Sequence, residues 1–361
     1  MHKQNIALLS VVFILIGIGI IMVFNTAAMV AILRFNNPLY FLARHLILAF
    51  IGLIFMFISM NIRYEMLKKL GKPFLIITVI LLIMVYFPNI GRAAGGARRW
   101  IRIGPLSMQP SELAKLVMIM YAANFLTIKQ HNIKEFMRGF LPPMLVLGLV
   151  LVLIIKNDLG SCVLIAGIVL TMMFISGANI KHLAIFVLSS LPAVYIAIYT
   201  FPYRMKRIMV FLNPWEDPLG KGYQIIQSFY ALGSGGWFGK GLGKGIQKLF
   251  YLPEAHTDFI FSIIGEELGF IGTSLIILLY AYVIWRGIII AYHAPDLYGH
   301  LLAIGITVMI AYQVIINIGV VTGLLPTKGT TLPFISFGGS SLIVNMTAIG
   351  LLLNVSREWE R

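Results

Sequence analysis

Apolar runs of about twenty residues recur along almost the whole chain, and they restrict it to one kind of surroundings. The first, over 6–30, follows only His2 and Lys3 and is too long for the core of a secretion signal, which predicts a first helix kept in the mature protein. Backbone N–H and C=O groups cannot stay unpaired in hydrocarbon, so such runs fold as helices or as a closed barrel. Continuous apolarity without strand-like alternation selects helices. Spans are expected near 6–29, 44–60, 73–87, 112–128, 139–155, 159–176, 182–200, 259–285, 299–322 and 339–355. About ten spans put both termini on one side, assigned to the cytoplasm.

Composition agrees: 59% of residues are hydrophobic and 11% charged, against about 25% charged in soluble domains. The net charge of +15 points to anionic lipid or phosphate, since no hydrophilic module remains to read nucleic acid. Cys162, the single cysteine, rules out an internal disulfide and reads as a packing residue. More of the 28 Lys and Arg fall outside than inside under this orientation. Much of that excess sits in the long connection 201–257, which weighs little in setting topology, and the remainder points to an anionic ligand on the outer face.

Two connections are more than linkers. Residues 88–110 set Arg92, Arg98, Arg99 and Arg102 around Trp100 among glycines, which predicts an irregular backbone able to approach a ligand. Guanidiniums grip phosphate oxygens in pairs, although each could instead snorkel to lipid headgroups. The connection 201–257 repeats the theme with Arg204 and Arg207 three residues apart, and its aromatics predict packing on the membrane surface.

Acids inside such a chain need a reason. Glu112 and Lys115, at i and i+3, share a helix face, where they pair or line a polar cavity. Asp158 caps a helix or faces a ligand. Lys328 lies in a stretch rich in Pro and Gly that reads as re-entrant. The stretch 253–269 holds Asp258 at the mouth of an apolar segment and Glu266 and Glu267 within it. His256 is close, yet no further ligand stands at metal spacing, so no metal site is expected. Asp258 beside basic groups suits a general base next to a phosphate leaving group; ion-coupled transport and a structural role remain as alternatives.

The motifs GARRWIRIG and QPSELAKL within 96–116, NDLGS at 157–161, YRMKR at 203–207, GYQIIQS at 222–228, LPEAHTDFIFSIIGEELGFIG at 252–272 and LPTKGTTLPFISFGGSS at 325–341 resemble those of the SEDS family. These are the polytopic peptidoglycan glycosyltransferases that include FtsW, RodA and SpoVE, and the wording is nearer to FtsW or SpoVE than to RodA. The resemblance spans nearly the whole chain; His45 and Asn157 depart from it, where Gln and Pro are commoner.

The resemblance implies an all-α, polytopic membrane protein with one transmembrane domain over 1–361 and a large extracytoplasmic loop, 201–257, between helices 7 and 8. It implies residence in the bacterial cytoplasmic (inner) membrane, with the active site on the outer face. The implied activity is polymerisation of lipid II by inverting glycosyl transfer with release of polyprenyl pyrophosphate. Asp258 matches the family's base; Arg99, Trp100, Glu112, Lys115, Asp158, His256 and Glu266 match its cavity residues, and Lys328 falls beside them. Nearby cations are expected to keep Asp258 ionised at neutral pH. Glu266 is read as a cavity-ordering partner for a cation such as Lys115, and Glu267 as a packing residue. Implied partners are a class B penicillin-binding protein (a transpeptidase), lipid II with the growing glycan chain, and other divisome or elongasome membrane proteins. No cofactor is evident, and a divalent cation assisting the pyrophosphate stays open. The rival reading is a lipid II flippase, whose path should be polar through its full depth; here the polar residues crowd at one side.

Overall fold

The computed structural model describes residues 3–94, 97–103 and 106–359. In chain order its long helices are α1 (Lys3–Phe35), α2 (Tyr40–Asn61), α3 (Tyr64–Met84), α4 (Pro110–Ile128), α5 (Leu141–Ile155), α6 (Leu159–Ile175) and α7 (Ile180–Tyr199). They continue with the shorter α8 (Pro202–Leu212) and α9 (Tyr223–Gly235), then α10 (Ile260–Tyr292), α11 (Leu297–Val321) and α12 (Gly339–Trp359). A long helix coincides with every expected span. Eight of the described helices are long and apolar enough to cross a membrane. α3 falls short because it opens on Glu65, Lys68, Lys69 and Lys72 before Pro73, and α6 because it has 17 residues.

α4 forms the centre of the bundle. Every residue from Ala114 to Ala123 is buried, the ion-paired Lys115 included, as expected of a helix enclosed by neighbours. α3, α6, α11 and α12 pack around it, α2 lies along α12, and α10 lies along α11. α7 is the opposite case: Leu183 is its buried residue and Leu188, Leu191, Tyr195 and Ile196 are exposed, which gives it a lipid-facing surface.

The connection 88–110 folds as a small antiparallel sheet, β1 (Gly91–Ala94), β2 (Ala97–Ile103) and β3 (Leu106–Met108), rather than as irregular backbone. Ile101 pairs with Gly91 on one side and Met108 on the other, and an irregularity falls between Arg92 and Ala93. The glycine pair at 95–96 and the step at 104–105 lie outside the described residues. The stretch 322–338 enters the bundle without helix, as its Pro and Gly content predicted. Leu332, Phe334, Ile335 and Ser336 are buried, and the Tyr280 hydroxyl donates to the Pro333 carbonyl.

α10 breaks at Gly269, whose φ of 66° belongs to the left-handed region. A Cβ there would lie 2.3 Å from the Gly239 nitrogen, because the segment after α9 docks against the break. The Lys240 and Gly241 amides donate to the Glu266 and Glu267 carbonyls, and the Phe270 and Ile271 amides donate to Gly236 and Trp237. Part of the connection 201–257 is thus ordered along a long helix, with α8 and α9 as its helical pieces.

Candidate active site

Several N-terminal helix ends and both ordered loops meet around one cavity of about 1080 Å³. The sheet contributes Arg92, Arg99, Trp100 and Arg102; α2 contributes Tyr40 and Arg44; α4 and the residue before it contribute Glu112 and Gln109; α8 contributes Arg207. The segment before α10 adds Glu254 and Asp258, and the 322–338 loop adds Lys328 and Gly329.

Asp258 sits two residues before α10, with its backbone carbonyl accepting from Asn317 Nδ2 at 2.9 Å. Among the described residues no hydrogen-bond donor reaches its carboxylate oxygens. Burial pushes this carboxyl up to about 7, Glu254 adds to the rise, and the Arg207 and Arg99 guanidiniums pull against it. The expectation that cations keep Asp258 fully ionised is therefore corrected: loss of water outweighs them, and the group is poised between its two forms near neutrality. A group titrating there can accept and release a proton under ordinary conditions.

Arg99 is fixed by a 2.6 Å bond from Nε to the Asn157 carbonyl, which leaves the rest of its guanidinium toward the cavity it lines. Asp158 caps α6, taking the Ser161 amide at 3.0 Å and the Ser161 hydroxyl at 2.7 Å, and it also accepts from Gln109 Nε2 at 3.1 Å. Burial raises the Asp158 carboxyl, but Lys328, Arg99 and the Ser161 bonds together hold it below its usual range. Lys328 is pushed down to about 8 by burial, against the pull of Asp158. Of the two readings of Asp158 the cap holds: the residue is not among those lining the cavity, and its charge acts there through Lys328, which is.

Lys115 and Glu112 pair at 2.7 Å as their spacing predicted, with Glu112 at the cavity and Lys115 only 2% exposed behind it. Lys115 also reaches Gln313 Oε1 at 3.4 Å, and Gln313 bonds in turn to Asn345. His256 does not line the cavity. It packs between Phe41 and Phe337, with ring centroids at 5.0 and 5.9 Å, and burial holds its pKa below the usual value.

Of the residues expected in the cavity, Lys115, Asp158, His256 and Glu266 are not among those that line it, and Glu267 also departs from its expected role. Glu266 does not pair with Lys115. It is fully buried and takes Lys240 Nζ at 2.8 Å and the Ile246 and Gln247 amides at 2.9 and 3.1 Å. Glu267 is more than packing: it accepts from Lys248 at 2.7 Å, Asn25 at 2.5 Å and the Gly243 and Gly245 amides. Both carboxylates organise the 236–248 segment, because two buried acids need donors and the glycine-rich backbone supplies them at close range.

Arg204 and Arg207 also part company. Arg204 is buried and donates to the carbonyls of Ala197, Ile155 and Lys156 at 2.8, 2.5 and 2.9 Å, so it closes the ends of α5 and α7. Arg207 lines the cavity. Arg44, Gln109 and Glu254 are cavity residues that the sequence reading passed over. Arg44 stands four residues after Tyr40, whose ring it covers at 5.4 Å, and that spacing was the available signal. Among the described residues no group of three or more His, Cys, Asp or Glu gathers as a metal site.

The profile of the cell cycle protein family of FtsW, RodA and SpoVE matches residues 6–361. The chain is 49% identical to stage V sporulation protein E of Bacillus subtilis, covering 98% of this chain and 97% of that one. It is 44% identical to a protein of Geobacter sp. named as a probable peptidoglycan glycosyltransferase FtsW, covering 98% and 96%. Among solved structures, one from work on the structural coordination of polymerization and crosslinking by a peptidoglycan synthase complex superposes with a TM-score of 0.80 at 29% identity, covering 98% of each chain. The rod shape determining protein RodA of Thermus thermophilus superposes at 0.73 with 28% identity, covering 98% of this chain and 97% of that one.

Proposed function

Because the chain belongs to the FtsW, RodA and SpoVE family of cell cycle proteins, we propose that it is a peptidoglycan glycosyltransferase that polymerises lipid II with Asp258 as general base. The observation that carries this reading is a carboxyl poised near neutrality in a cavity lined by Arg92, Arg99, Arg102, Arg207 and Lys328. The 4-hydroxyl of one disaccharide attacks the anomeric carbon of another. Its proton passes to Asp258 as the new C–O bond forms, and the bond to phosphate breaks with its electrons leaving on the polyprenyl pyrophosphate. One displacement inverts the anomeric centre, so one base suffices and no covalent enzyme intermediate is needed. Charge grows on the departing phosphate oxygens, where fixed cations stabilise the transition state more than the ground state. Arg99 and Lys328, both held by backbone carbonyls, are pre-set for that task.

The same reading assigns both termini to the cytoplasm, the cavity to the outer face of the bacterial inner membrane, and a class B penicillin-binding transpeptidase as partner. The likeness to a synthase complex that couples polymerization and crosslinking supports the partner. The test is direct: purified protein with that transpeptidase, incubated with lipid II, yields glycan polymer resolved by gel electrophoresis. Lipid II left intact by the paired proteins would reject the reading.

A further inference from the structure

α11 carries Asn317 at a point where two site-bearing segments converge. Its Nδ2 donates to the Asp258 carbonyl at 2.9 Å and to the Thr330 carbonyl at 2.6 Å, and the residue is 1% exposed. One amide thus joins the segment that delivers Asp258 to the loop that delivers Lys328. Those segments also meet directly, since a Cβ on Gly329 would lie 2.9 Å from Asp258 Oδ2. Neither segment is helical at the junction: Asp258 precedes α10, and 322–338 runs without helix. Their carbonyls have no helical ladder to enter, and the Asn317 amide supplies a donor to each.

We propose that Asn317 is a positioning residue that fixes the distance between the base Asp258 and the cavity cation Lys328. This rests on the glycosyl-transfer reading above. In that reaction the proton leaves the attacking oxygen on one side of the anomeric carbon while charge develops on the phosphate on the other. The separation of base and cation must therefore match the length of the reacting array, and a displacement of about 1 Å costs on the order of 100-fold in rate. The amide suits the role because its NH₂ has two protons for two carbonyls. A carboxylate of the same shape has none, and a hydroxyl has one.

Asn317→Asp and Asn317→Ser are compared with wild type for lipid II polymerisation in the presence of the transpeptidase partner. Folding is checked by thermal melting in detergent, and Asn317→Ser serves if the aspartate variant fails to fold. The expected result is a fall in kcat of about 10- to 100-fold with KM for lipid II changed less than about twofold, because the cavity lining stays intact while its alignment shifts. A folded variant with wild-type kcat overturns the inference and leaves the glycosyl-transfer reading standing. So does a folded variant in which KM rises and kcat holds, since that is the signature of binding rather than alignment. Wild-type protein that forms no polymer overturns the glycosyl-transfer reading, and any role of Asn317 in it falls as well.

Discussion

Lys328 Nζ donates to the Gly160 carbonyl at 2.5 Å, which fastens the 322–338 loop to the first turn of α6. A lysine at a helix N-terminus faces the positive end of the helix dipole and would be repelled. The negative charge of Asp158, which caps the same helix, acts against this repulsion and favours the charged lysine.

Gly160→Ala tests the contact. A Cβ at position 160 would fall 1.8 Å from Lys328 Cε, so the lysine stem must swing away. The stem is flexible and the backbone at 160 is helical, so melting in detergent should shift by only a few degrees. Polymerisation should drop, by up to the roughly 100- to 1000-fold seen when one charge-stabilising donor is removed outright. Turnover unchanged in Gly160→Ala would show that Lys328 does its work from elsewhere.

Asp258→Asn should abolish polymerisation, because the amide cannot take the proton. The pH dependence carries a sharper sign. A base with a pKa of about 7 predicts a rate that rises through that pH and levels off above it. Stability runs the other way. The folded pKa stands above the unfolded carboxylate value of about 3.9, so the associated stability is present below about pH 4 and is lost as pH rises through about 7. Asp258→Asn, which never ionises, should therefore melt higher than wild type at pH 8 and about level with it at pH 4. Melting measured at both values decides this.

Arg204 and Arg207 should separate by phenotype. Arg204→Ala leaves the carbonyls of Ala197, Ile155 and Lys156 without their donor, and each unmet buried group costs about 1–3 kcal/mol. It should lower the melting temperature markedly. Arg207→Ala should melt like wild type. It removes a cation that pulls the Asp258 carboxyl down, so the rising limb of the pH–rate profile should move to higher pH. Equal effects of the two substitutions on melting would undo the division.

Much of this site could be read from the chain, and what could be read was local. Asp258, the Glu112–Lys115 pair and the Asp158 cap all declare themselves through partners within three residues or through position at the end of an apolar run. The helices followed from apolar length, since hydrocarbon leaves the backbone little alternative. The sheet at 91–108 was hidden because alternation in RRWIRI is brief and flanked by glycines. The acidity of Asp258 was misjudged because counting nearby cations says nothing of how much water the fold removes. Asn317 gave no signal, since its acceptors lie 59 and 13 residues away.

The buried carboxylates of α10 give the last prediction. Glu267 is 0% exposed and Lys248 8%, paired at 2.7 Å, with Asn25 of α1 bonded to both. Removing one partner of a buried pair strands a charge, at about 3–5 kcal/mol, whereas removing both can be nearly neutral. Lys248→Met should therefore destabilise strongly, and Lys248→Met with Glu267→Gln should recover part of the loss, because the neutral glutamine strands no charge and its one carbonyl oxygen can still accept from either the Gly243 or the Gly245 amide, which now donate to different oxygens of Glu267. The failure should be local first. Residues 243–248 lose one of their anchors on α10 while the Glu266 contacts and the helices remain, so limited proteolysis should cut there in Lys248→Met before it cuts wild type. Melting and proteolysis of the two variants together test the pairing: a double variant no more stable than Lys248→Met would mean that the lysine, not the stranded glutamate, sets the cost.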